Sequence, residues 1–119
     1  MIEVSCVTYN SMIKSLEIVG HASNSNNNDI ICAAVSCLSR TVCDITTRLN
    51  GINSELRAPK AGNIMLKIHD IDNCIHGRFS GITDFFLIGI IGIKKDYPES
   101  IKLKINNKEW YNGSQERWW

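Results

Sequence analysis

No sign of charge dominates this chain. Its 13 lysines and arginines stand against 12 aspartates and glutamates, so no long-range field selects nucleic acid or an anionic membrane as a partner. There is no long hydrophobic run either. The longest, Phe85 to Ile93, is about half the ~20 residues of a membrane span. The first twenty residues alternate and carry Glu3 and Glu17, unlike the basic start and apolar run of a signal peptide. The five cysteines form an odd set without the paired spacing of a disulfide framework. His69, Cys74 and His76 follow none of the standard metal-ligand spacings, and no metal or cofactor is implied. These absences lead us to expect a soluble, cytoplasmic protein with reduced thiols. A chain of 119 residues suits one domain that buries roughly two-thirds of its unfolded surface.

What is present is a pattern of short strands and two helices. Ile2, Val4 and Cys6 alternate with Glu3 and Ser5, and Leu16 and Ile18 with Ser15 and Glu17, on either side of Tyr9-Asn10-Ser11. This predicts an opening hairpin. From Ile31 the positions Val35, Leu38, Val42, Ile45 and Leu49 recur every three or four residues up to Asn50-Gly51, one apolar stripe on a helix about 30 Å long. Pro59 to Gly62 breaks the chain. Ile64 to Ile68 then alternates, and Asp70 to Asn73 offers a turn into Cys74 to Phe79, which predicts a second hairpin.

A second helix is expected from a cap at Thr83 or Asp84, with Phe86, Ile90, Ile93 and Tyr97 on one face and Pro98 after its end. Gly89 and Gly92 cost it roughly 1 kcal/mol each relative to Ala, so a sheet or partner helix should approach closely. Its apolar character on nearly all sides suggests a dimer interface. Ile101, Leu103 and Ile105 close the pattern as a strand. The order ββαββαβ predicts an α+β fold, two helices packed on a largely antiparallel sheet.

The chemistry concentrates where the first hairpin meets the first helix. His21 leaves a strand at Gly20-His21-Ala22, and Cys32 lies near the start of the helix beyond Asp29. A thiolate near a helix N-terminus is favoured by unpaired N–H groups and the macrodipole. Asp29 stands where an N-cap belongs. His21 is placed to take the thiol proton and return it to a leaving amine. Backbone N–H groups at Cys32 and Ala33 are natural oxyanion donors. Ser36 follows Cys32 by one turn, with Ser39 and Cys43 continuing that line. The line suits the floor of a cleft, and equally a helix lying close to a sheet. The polar stretch between the pair, Ala22, Ser23, Asn24, Ser25, Asn26, Asn27 and Asn28, suits a substrate loop or an ordinary connector. On these residues alone, an inert thiol and a surface histidine are the simpler reading, ahead of a catalytic pair.

Three segments in order, Gly20-His21-Ala22, Asp29-Ile30-Ile31-Cys32-Ala33-Ala34-Val35-Ser36 and Lys95-Asp96-Tyr97-Pro98-Glu99-Ser100-Ile101-Lys102, resemble the ribosomal-processing cysteine protease family, called Prp. The resemblance spans the first strand to about Ile105, within a domain expected over residues 1–107. Residues 108–119 are left as a tail of unknown order. It implies a cysteine endopeptidase that removes the N-terminal extension of large-subunit ribosomal protein twenty-seven, with Cys32 as nucleophile and His21 as proton donor and acceptor. Asp29 and Ser36 match supporting residues, and the family's homodimers agree with the apolar second helix. The family's substrates carry paired aromatic residues before the cut, admitted by the loop between histidine and cysteine. Here Asn26-Asn27-Asn28 departs from the family's aromatic and glycine. Two other readings use the same residues: a non-catalytic binding factor for a ribosomal protein N-terminus, and a redox-sensing thiol protein.

Overall fold

Asn10 and Ser11 take the left-handed backbone, with φ of 51° and 65°, the geometry of a tight hairpin turn whose twist matches its strands. They join β1 (Ile2–Tyr9) to β2 (Met12–Val19). The computed structural model describes residues 1–20, 28–60, 62–114 and 117–119. After β2 come α1 (Asn28–Arg48), β3 (Ile52–Lys60), β4 (Asn63–Ile71), a single 3-10 turn at Asn73–Ile75, α2 (His76–Asp96), β5 (Ile101–Ile105) and β6 (Lys108–Trp110). The strands form one sheet in the order β3-β4-β2-β1-β5-β6. All pairs are antiparallel except β1 with β5, which α2 makes parallel by crossing over the sheet.

Alternation decides which face is covered. Ile2, Val4, Cys6, Leu16, Ile18, Leu66, Ile68, Ile101, Leu103 and Ile105 are buried beneath the helices. The opposite face sets charges across neighbouring strands, with Glu3 beside Lys102 and Glu55 beside Lys67. Opposite charges in register support pairing.

Along α1, Ile31, Val35, Ser39, Val42, Cys43 and Thr46 are buried. The two buried hydroxyls are satisfied within the helix: Ser39 donates to the Val35 carbonyl at 2.6 Å and Thr46 to that of Val42 at 2.7 Å. Small side chains that bring their own hydrogen-bond partners allow the helix to lie close to the sheet at no desolvation cost. On α2 the buried residues are Phe79, Thr83, Phe86, Leu87, Ile90 and Ile91. Both helices are long and apolar enough by composition to cross a membrane; here these stripes cover the sheet.

Two expectations are corrected. The second hairpin is built from β3 and β4, not from residues 64–68 paired with 74–79. β3 is an edge strand with a polar sequence, and its register with β4 shifts between Arg57 and Lys60, so Pro59 is accommodated where an edge tolerates it. Cys74 to Phe79, expected as a strand, forms the 3-10 turn and the first residues of α2. Thr83 consequently does not cap α2. It lies buried about two turns inside, donating to the Phe79 carbonyl at 2.9 Å and accepting the Ile13 N–H at 3.0 Å, which ties the helix to β2. Gly89 has the close neighbour expected of it, since a Cβ there would stand 2.9 Å from Leu38 of α1, whereas nothing approaches Gly92.

The chain closes in the same economical way. Lys94 donates to the carbonyls of Pro98 at 2.6 Å and Ile101 at 2.5 Å, and the Ile2 N–H donates to the Ser100 carbonyl at 3.0 Å. The Lys95–Lys102 motif therefore sits at a structural junction that joins α2, β5 and β1. Beyond residue 107, β6 adds a strand and buries Trp110. Trp118 is also buried, and its indole N–H donates to the Asp84 carboxylate at 2.8 Å. Trp118→Ala is expected to destabilise the fold by about 3 kcal/mol, in the usual range for losing a buried aromatic. An unchanged denaturant midpoint would show that this contact carries no stability.

Candidate active site

The last residues of β2 and the first turns of α1 hold the candidate residues. Val19 pairs with Glu3 at the end of β2, and Gly20 follows with φ +104°. Its N–H donates to the Asn63 side-chain oxygen at 3.4 Å. A Cβ on this residue would lie 2.5 Å from the Met1 carbonyl oxygen, so only glycine fits both the backbone conformation and the space. His21 comes next in the chain. It lies outside the described residues, as do Ala22 to Asn27 of the expected substrate loop; the last residue of that loop, Asn28, instead opens α1.

On the other side, α1 is helical from Asn28. This corrects the expected cap: Asp29 occupies the first turn of the helix, not the position before it. Cys32 is the fifth helical residue, half-buried, and packs against the hydrophobic core. The expected oxyanion donors, the N–H groups of Cys32 and Ala33, lie in the second turn of α1. In a helix beginning at Asn28 the N–H groups without intrahelical acceptors belong to the first turn. Those of Cys32 and Ala33 fall where each donates to a carbonyl four residues back. The sulfur sits one turn inside the positive end of the helix rather than at its tip.

Ser36 follows one turn on and is half-buried. With Val35, Ser39, Arg40, Cys43 and Asp44 it forms one wall of a cleft of about 440 Å³, whose other wall is Ile18 of β2, Leu56 and Ala58 of β3, and Gly62 and Ile64 near the start of β4. The line of small residues on α1 thus does both things open to it, settling the helix on the sheet and flooring a cleft. The β3 wall and the two rim charges, Arg40 and Asp44, were not among the residues singled out from the sequence. They became recognisable only once β3 was placed, since Asn53-Ser54-Glu55-Leu56-Arg57 carries no alternating apolar signal.

All five cysteines are free thiols, and burial divides them. Desolvation pushes the Cys6 thiol up to about 12. Burial, followed by the neighbouring Asp44 carboxylate, pushes Cys43 up to about 11. Both stay protonated and unreactive near neutral pH. Cys37 and Cys74 are exposed; neither they nor Cys32 line the cleft, but Cys32 stands one helical turn before its lining residue Ser36. His69 and His76 take separate partners, Glu55 at 3.6 Å and the Ile71 carbonyl at 3.2 Å. Among the described residues no three potential metal ligands converge.

A model of the family described as cysteine protease Prp matches residues 1–102. No curated protein matches the chain. Among solved structures, the essential ribosomal processing protease Prp from S. aureus, in complex with a covalently linked product peptide, is similar with a TM-score of 0.72. That likeness has 20% sequence identity and covers 88% of this chain and 99% of that one. SMU.848 from Streptococcus mutans is similar with a TM-score of 0.70 and 27% identity, over 88% of this chain and 96% of that one.

Two predictions follow from this geometry. Gly20→Ala is expected to cost about 1–3 kcal/mol of stability through backbone strain and the contact with Met1, read as a lower unfolding midpoint; an unchanged midpoint would contradict it. Because Cys6 and Cys43 ionise only when unfolded, their contribution is fully present below the ordinary thiol value of 9.0 and is lost as pH rises towards about 11 to 12. Replacing either by Ala should flatten the decline of stability measured above pH 9. An equally steep decline would show that these thiols do not contribute to it.

Proposed function

Since the Prp model matches residues 1–102, the chain belongs to the Prp family of cysteine proteases, and we propose that it removes the N-terminal extension of large-subunit ribosomal protein twenty-seven, with Cys32 as nucleophile and His21 as its base. The observation that carries this reading is the position of Cys32. The resemblance assigns the family's cysteine to Cys32, a half-buried thiol in the second turn of α1 that stands one turn before Ser36 in the wall of the cleft between that helix and β3. The S. aureus Prp structures with substrate and product peptides support a peptide as the occupant of such a site.

In the proposed reaction His21 takes the Cys32 proton, and the thiolate attacks the scissile carbonyl carbon. The carbonyl π electrons move to oxygen and a tetrahedral oxyanion forms. As it collapses, the C–N bond breaks, the imidazolium gives its proton to the leaving amine, and a thioester remains on Cys32. His21 then deprotonates a water molecule that attacks the thioester carbon; as this second tetrahedral adduct collapses the C–S bond breaks, the acid product leaves, and the imidazolium returns its proton to the Cys32 sulfur. The positive end of α1 favours the developing oxyanion. Asp29 and Ser36 act as supporting residues, one in the first turn and one a turn beyond the sulfur. Gly20 fixes where the chain leaves β2 immediately before His21. The cut takes place in the cytoplasm before ribosome assembly, and the exposed Phe85 and Ile88 of α2 support a homodimer.

The test is to incubate the protein with the ribosomal protein precursor of its own organism and sequence the product's new N-terminus. A single internal cut is expected, absent with Cys32→Ala although that variant still binds the precursor. His21→Ala should lower the rate by about 10²–10⁴. Cleavage by the Cys32 variant, or near-normal turnover without His21, would overturn the assignment.

A further inference from the structure

The cleft beside α1 carries a cation that neither the fold nor the proposed chemistry uses. Arg40 lies two helical turns beyond Cys32, about 12 Å along the axis at 1.5 Å per residue, and lines the same cleft as Ser36. Among the described residues it has no ion-pair partner. The Glu55 carboxylate of β3 is held by Arg57 at 2.7 Å, and Asp44, although one turn from Arg40 on the helix, makes no ion pair with it. Across the cleft the wall is apolar, Leu56, Ala58 and Ile64. A guanidinium bordering such a wall offers five donors in a planar fork suited to a carboxylate.

Resting on the reading of this cleft as the peptide site, we infer that Arg40 is a specificity-determining residue that pairs with an acidic side chain of the substrate. An extended peptide advances about 3.3 Å per residue. The span from Cys32 to Arg40 therefore places that side chain about three or four residues from the scissile bond. Asp44 lines the cleft one turn further, about 6 Å on, and repels a second acidic residue placed beyond the first. The cleft thus reads charge at a distance from the bond it cuts, in addition to whatever its apolar wall holds.

The experiment uses the full chain and a set of fluorogenic peptides built on the cleavage sequence found with the precursor. The third and fourth residues on each side of the bond are varied in turn among Glu, Gln and Lys. On one side, Glu should be preferred over Lys by about five-fold in kcat/KM, as for an exposed ion pair, with the preference shrinking as salt is raised. Arg40→Glu should invert the ranking while leaving the unfolding midpoint unchanged. The same ranking in both proteins overturns the inference, as does a uniform loss on every peptide, which would mean that Arg40 holds the peptide backbone. A wild-type protein that cuts none of the peptides overturns the protease reading and this inference with it, so the two failures are distinguishable.

Discussion

The close seating of α1 on the sheet is the contact on which the site depends. Val35, Ser39, Val42, Cys43 and Thr46 form its buried seam, and a bulkier or unsatisfied side chain anywhere along it would lift the helix. Ser39 and Thr46 avoid the penalty of buried hydroxyls by donating to carbonyls of their own helix. The depth of the cleft, the height of Cys32 above the core and the separation of α1 from β3 follow from that seam. On its far side Gly89 admits Leu38, so α2 holds α1 from behind. Helix α1 is therefore fixed from two directions while its cleft side stays open.

Within this frame the five thiols acquire different chemistry from position alone. Cys6 and Cys43 are desolvated and held protonated. Cys37 and Cys74 face solvent without a cleft. Cys32 combines partial burial with a place in the second turn of α1, one turn before the cleft residue Ser36. The family match over residues 1–102 covers all five thiols, and position alone distinguishes this one.

Much of this was legible in the sequence, and the exceptions have physical causes. The first hairpin, α1 and β5 announced themselves because each is covered on one side, which imposes a clean period of two or of about 3.6. β3 was missed because it is an edge strand with a largely polar sequence and a bulge near Pro59. Its absence shifted the second hairpin by a dozen residues and delayed the start of α2, although the order ββαββαβ was right. Asp29 was read as a cap because capping residues are common there, whereas the helix starts one residue earlier. The pairing of Trp118 with Asp84 joins residues 34 apart in sequence, and no local pattern signals such a contact. Cys32 and Ser36 were found by motif and lie as expected on one helical face; Arg40 emerged only when the opposite wall was in place.

The central claim is that Cys32 alone among the thiols is the nucleophile for a peptide carbonyl. The most direct measurement treats the protein with a chloromethyl ketone built on its own cleavage sequence and maps the adduct by mass spectrometry. The account predicts one adduct per chain, on Cys32, with Cys37 and Cys74 unmodified despite their exposure. Labelling of Cys37 or Cys74 in its place, or no adduct at all, would contradict it.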